Sequence, residues 1–189
     1  MFAYLRATSV AGVAVLAAML VLAARAPAAA CPNADTVAAS ASKQAMRDAV
    51  RCLVNKQRVA HGLPPLRASA RLTRSAQGWS DEMVASHTFS HGTDFAARIS
   101  DAGYDWSKAG ENIGTGSPTP RTVVKAWMAS PPHCRNILSP SYRDVGVGVN
   151  GHAVAGAAGP ATWTEDFGLS MFQSPPASNW RPANGCPYG

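Results

Sequence analysis

The chain carries little charge and few aromatic groups, and it lacks most of the short motifs that mark an enzyme or a nucleic-acid binder. Only 15% of its 189 residues are charged and 7% are aromatic, so there is no block of one sign to act as a polyanion tract. No RNA-binding or DNA-binding signature is present. The absence of H-E-x-x-H excludes a zincin by pattern, and the absence of G-x-S-x-G leaves a serine hydrolase without its usual elbow. No C-x-x-C pair argues for redox chemistry or a zinc ribbon. Internal repeats are missing too. The apolar run Val10–Ala24 falls short of the ~20 residues that a spanning helix requires.

That short apolar run has a better use. One positive charge at Arg6 precedes it, and the small residues Ala28-Ala29-Ala30 follow it, directly before Cys31. This is the layout of a secretory signal peptide over 1–30, cleaved after Ala30. The alternatives are an uncleaved anchor and a lipoprotein attached through Cys31, although Ala28 stands where lipoprotein signals usually carry Leu. Removal of the signal takes away Arg6 and Arg25 and lowers the formal charge from +6 to +4. Arg67, Arg71 and Arg74 form the one dense basic group. It reads as a solvent-facing helix surface in preference to a polyanion site.

The remaining chain of about 159 residues is long enough for one domain with a real core. Four cysteines in an exported chain make disulfides the default, and three pairings are open. Cys31 and Cys52 precede the polar motifs, whereas Cys134 and Cys186 flank their end. The preferred pairing is therefore Cys31–Cys52 with Cys134–Cys186, stapling an N-terminal extension (31–44) and a C-terminal tail (171–189) onto a domain over 45–170.

Helical periodicity dominates the first two-thirds. Met46, Val50 and Leu53 mark a helix that ends near Gly62, and Leu72, Ala76, Trp79 and Met83 mark a second from about Ser69 to Ser86. Thr93 is a candidate cap for a third, through Phe95 and Ile99 to Gly103. Thr119 followed by Pro120 opens a fourth through Val124 and Trp127, which Pro131-Pro132 must end. After Tyr142 the period becomes two, at Val145-Val147-Val149 and again at Trp163-Glu165-Phe167, with a Gly/Ala-rich connection at 150–160. A further strand is expected after Tyr104, without a clear pattern. Helices followed by strands make an α+β domain.

Three polar blocks stand out against this background: Phe89-Ser90-His91, Gly110-Glu111-Asn112-Ile113, and Ser130-Pro131-Pro132-His133-Cys134-Arg135-Asn136-Ile137-Leu138. Two imidazoles and a carboxylate tolerate burial only when paired with each other, with water or with a metal. Together they imply one polar cavity. Two neutral imidazoles can hold a divalent ion, zinc first, with Glu111 as ligand or as orienting carboxylate behind a ligand. The competing reading is a satisfied hydrogen-bond cluster that pins loops. Asn55 and Arg58 read as ties between elements, Asn112 as a support of the loop backbone, and Trp127 and Trp163 as core. His61 and His87 read as helix ends, and His152 as exposed.

The blocks and their flanks resemble the CAP superfamily, the secreted SCP/PR-1-like proteins, and its small bacterial members most closely. The resemblance runs from about Leu53 to Gly168. It includes Leu53-Val54-Asn55 with Arg58, Gly62-Leu63-Pro64-Pro65-Leu66, Gly103-Tyr104, Trp127-Met128, the Gly-Val alternation at 145–149, and Trp163-Thr164-Glu165-Asp166-Phe167-Gly168. It implies an α-β-α sandwich around a small antiparallel sheet, with a central cleft lined by two histidines and two acids. His91, Glu111 and His133 match three of those positions. Ser130 stands at the fourth, so one negative charge is missing and metal binding should be weaker than with both acids. Ser130 and Asn112 are expected to line the cleft.

The implied function is a secreted, monomeric binding module with no membrane span after signal cleavage. Its partner would be a small apolar ligand such as a lipid or sterol, or an extracellular or cell-wall component, and no cofactor would be required for folding. The alternative is a metal-assisted hydrolase of peptide or wall material, with His91 and His133 holding the ion and Glu111 as base. A cysteine-protease reading of His133-Cys134 fails because adjacent side chains rarely meet in attack geometry and Cys134 is better used in a disulfide.

Overall fold

Five α-helices and four strands make up the described part of the chain, residues 30–174 and 185–186 of the computed structural model. The signal-peptide expectation and most of the C-terminal tail lie outside the described residues. Helix α1 (Lys43–Ala60) begins where the Ser42 side chain accepts from the Ala45 N–H, and it buries Met46, Ala49, Val50, Leu53 and Val54 along one face. Gly62, in the left-handed region at φ 77°, turns the chain out of it. Helix α2 (Ala70–Ala85) is capped by Ser69 and buries Leu72, Ala76 and Met83. Trp79 completes the expected stripe only in part, packing half-buried beside Met83 and Ile113. In α3 (Phe95–Asp101) the cap is Asp94, which accepts from the Ala97 N–H at 2.9 Å, and not the expected Thr93. A carboxylate is the stronger acceptor at a helix start.

Thr119 and Pro120 open α4 (Pro120–Met128) with a capping box. Pro131 and Pro132 end nothing further: they are the first two residues of an unexpected α5 (Pro131–Ile137), where their missing N–H groups cost no helical bond.

The strands β1 (Arg67–Ala68), β2 (Trp106–Thr115), β3 (Asp144–Asn150) and β4 (Thr162–Ser170) form one sheet in the order β1-β3-β4-β2. The β3–β4 and β4–β2 pairs are antiparallel, as expected, but β1 joins β3 in parallel and makes the sheet mixed. Glu111 and Asn112 therefore lie within a long regular strand, where turn-rich flanks implied a loop.

Helices α1, α4 and α5 cover one face of the sheet, and α2 and α3 cover the other. Val145, Val147 and Val149 point into the first layer. Gly146 and Gly148 point at α2, whose backbone at Leu72–Thr73 and at Ala76 occupies the space a Cβ would need. With helices on both faces, every residue of β4 from Thr162 to Leu169 is buried. The sandwich is the expected one, tied at both ends by the disulfides Cys31–Cys52 and Cys134–Cys186.

Candidate functional site

A strand sends successive side chains to opposite faces of its sheet, and at Glu111-Asn112 both directions carry polar chemistry. Glu111 pairs in register with Asp166 of β4, and Asn112 with Glu165. All four side chains are buried. Each of the first two holds one histidine-bearing segment. Glu111 Oε1 lies 2.8 Å from Nδ1 of His91, and the Asn112 side-chain amide donates to the His133 carbonyl oxygen at 3.2 Å.

His91 sits between α2 and α3, with its side chain half exposed. His133 sits in α5, whose register is fixed by Asn136. The Asn136 amide donates to the Glu111 carbonyl oxygen at 3.1 Å and to Asn112 Oδ1 at 2.9 Å. Both imidazoles line one cleft of about 520 Å³ together with Glu111, Phe95, Pro132 and Tyr142. Gly110 lies beneath it because the Tyr142 ring and hydroxyl occupy the position of a Cβ. Burial, and then the nearby His91, hold the His133 imidazole below its usual pKa, so it favours the neutral form.

His91, Glu111 and His133, the three residues expected in one cleft, line the same cleft in the structure. The other two residues expected there, Asn112 and Ser130, are not part of that lining. Asn112 is fully buried and turned toward Glu165, and Ser130 is the residue preceding α5, outside the cleft lining. The alternation of the strand explains the first and the new helix the second.

Three charged residues escaped the sequence reading. Arg98 of α3 donates to Glu111 Oε2 at 2.6 Å and to the His91 carbonyl oxygen at 2.9 Å. Asp166 lies against Glu111; burial and then the Glu111 charge push its carboxyl well above the usual range. Glu165, on the opposite face, is pushed up to about 8, chiefly by burial, while its hydrogen bond from Asn112 and the charge of Arg58 act the other way. Two consecutive acids in an otherwise uncharged strand were the signal available for Glu165 and Asp166. Arg98 carried none.

Among the described residues, no three side chains from His, Cys, Asp and Glu converge as a metal-binding group. Both oxygens of Glu111 are engaged, one by His91 and one by Arg98.

The profile of CAP, the cysteine-rich secretory protein family, matches residues 52–167. YkwD of Bacillus subtilis is 37% identical over 150 residues, 77% of this chain and 55% of that protein. The membrane protein YlbC of the same organism is 31% identical over 102 residues, 52% of this chain and 30% of that protein. The chain thus spans little more than half of the longer-matching relative. Among solved structures, an extracellular SCP-domain protein from Bacillus anthracis superposes with a TM-score of 0.58 at 23% identity, covering 69% of this chain and 44% of that one. An outer surface protein from Borrelia burgdorferi gives a TM-score of 0.57 at 18% identity, covering 64% and 90%. At these identities the structural likenesses speak for the fold alone.

Proposed function

This chain belongs to the cysteine-rich secretory protein family, CAP, and on that premise we propose that it is an exported binding module whose cleft presents His91 and His133 to a divalent metal, zinc foremost. One observation carries the proposal. The Nδ1 edge of His91 is turned to a buried carboxylate, which leaves Nε2 as its free nitrogen. Among the described residues nothing hydrogen-bonds the His133 ring, and its environment favours the neutral imidazole that a metal requires.

The residues fit a two-imidazole site, behind which stands Glu111, with one oxygen on His91 and the other on Arg98. The role of that carboxylate is to orient His91. A bound zinc would offer open positions to water or to a ligand oxygen. Phe95, Pro132 and Tyr142 would pack against the apolar part of a lipid-like or wall-derived ligand. With no acid at Ser130 to add negative charge, the affinity should be modest. The hydrolase alternative needs Glu111 as a general base, and a carboxylate clamped at both oxygens is badly placed to take a proton from a substrate water.

An extracellular location is supported by two disulfides and by the descriptions of the SCP-domain and outer-surface relatives. Pairing of Cys31 with Cys52 engages the sulfur that a lipid anchor would need. The test is calorimetric titration of zinc into the chain lacking residues 1–30, beside His91→Ala and His133→Ala. Each substitution should weaken binding at least tenfold. Binding unaffected by both would leave the cluster as a structural pin for two segments.

A further inference from the structure

We propose that Arg98 is the positioning residue of the cleft: its guanidinium fork joins the main chain of His91 to the carboxylate that the His91 ring bonds, and so decides which imidazole nitrogen is free. The inference rests on the reading of the cleft as an imidazole site. Its geometry is a closed circuit. Arg98 Nη1 donates to the His91 carbonyl oxygen at 2.9 Å, Nη2 donates to Glu111 Oε2 at 2.6 Å, and Glu111 Oε1 returns to His91 Nδ1 at 2.8 Å. With its side chain 50% exposed, the His91 ring is not held by packing, so polar contacts must hold it.

The fork is itself immobilised. The guanidinium lies over the Trp79 ring, 3.8 Å from its centroid, and the indole N–H of Trp79 donates to the Ser90 carbonyl oxygen at 3.0 Å. Gly92 lets the loop settle on this pair. It sits at φ +70°, and a Cβ there would meet the Trp79 ring at 2.9 Å and Arg98 Nη1 at 3.0 Å. Two successive loop carbonyls, of Ser90 and His91, are thus held by two stacked side chains.

The chemical consequence concerns the tautomer. A carboxylate paired with a guanidinium is an acceptor only, so Nδ1 of His91 carries the hydrogen and Nε2 keeps its lone pair. Lysine would supply the charge but no planar fork with two separate nitrogens for the two acceptors.

The experiment reads the tautomer in metal-free protein. Long-range proton–nitrogen correlation spectra of histidine-labelled mature chain would be recorded at about pH 8. The His91 signals would be assigned by their loss in His91→Gln. Wild type and the remote control Arg121→Met should show a protonated Nδ1 and a bare Nε2. Arg98→Met and Arg98→Lys should both show a mixture with substantial Nε2–H, and zinc affinity should fall about 10- to 100-fold in each, as for other groups that orient a metal-binding histidine. Wild-type signals in both Arg98 variants, or full restoration by lysine, would overturn the proposal. If Arg98→Met fails to fold, Arg98→Lys decides alone. Since the spectra are taken without metal, a protein that binds no zinc would sink the metal reading while the tautomer still judges this one.

Discussion

Glu111 and Asp166 face each other as register partners on β2 and β4, two carboxyls beneath the α2 and α3 layer with Arg98 as the cation between that layer and the cleft. One strand position away, and on the other face, Glu165 is wholly buried beside Asn112. The sheet interior thus holds protonatable carboxyls on both sides.

Those carboxyls make stability depend on pH in a defined sense. A folded-state pKa raised above the unfolded value gives stability that is complete below the unfolded pKa and lost as pH rises through the folded one. For Glu165 that window runs from its ordinary value of 4.5 to about 8, and Asp166 acts in the same direction. The melting temperature should therefore fall between about pH 5 and pH 9. Glu165→Gln should gain on the order of 10 °C at pH 9, since a displaced pKa weighs ~1.4 kcal/mol per unit and each kcal/mol is worth ~2–4 °C in a chain of this size, and should gain nothing at pH 4. A pH-independent difference between the two proteins would mean that Glu165 is ionised throughout.

Gly146 and Gly148 make a second, purely steric test. Each alternates with a valine that feeds the opposite layer, and each receives the α2 backbone against its missing side chain. Alanine at either position must push α2 off the sheet, with an expected loss of ~3 kcal/mol or more by urea denaturation. Gly78, on α2 itself, has open space around it. Gly78→Ala should instead stabilise the protein, by about 0.5–1 kcal/mol. Comparable effects at the three glycines would contradict the close approach of α2.

This close approach also explains where sequence reading stopped short. The alternation in 145–149 and 162–168 was legible as strands, but alternation alone does not show that α2 lies directly on the glycine face of the sheet. Glu165 and Asp166 therefore looked like ordinary strand polarity. Strand β2 had no readable period because Gly110 and Gly114 sit where Tyr142 and the Trp127 side chain press against it. Pro131-Pro132 was ambiguous in principle, since the same pair that stops one helix can start the next. The three cleft residues were legible because each stood beside a Gly, a Pro or a helix end. Arg98 looked like any solvent-facing arginine, and its partners are far from it in sequence or lie across a loop.

The disulfides should differ in weight. Cys31–Cys52 closes a separation of 21 residues and Cys134–Cys186 one of 52. Chain-entropy arguments give about 3 and about 4 kcal/mol respectively for their removal by paired alanine substitution. The second loss should also disturb the cleft, because Cys134 neighbours His133 on α5. Peptide mapping without reduction checks the pairing first, and equilibrium unfolding of each double variant checks the order. A larger loss at Cys31–Cys52 would show that strain or residual structure outweighs loop length.

Arg58 yields the last prediction. Its side chain is completely buried, and it reaches from α1 across to the end of α5. Nε donates to the Pro64 carbonyl oxygen at 2.9 Å, and Nη1 donates to those of Ile137 and Ser139 at 2.7 and 2.8 Å. Three main-chain acceptors from two separate segments thus converge on one guanidinium, and it also places a positive charge near Glu165. Arg58→Met keeps much of the apolar volume but strands all three carbonyls, for an expected loss of about 3–5 kcal/mol. Arg58→Lys keeps the charge without the fork and should recover only part of that. Removing the arginine should also raise the Glu165 pKa further, so Arg58→Met should cost less in a Glu165→Gln background than in the wild type. Strict additivity in that double-mutant cycle, measured by urea denaturation at about pH 9 where Glu165 is ionised, would show that Arg58 acts through the carbonyls alone.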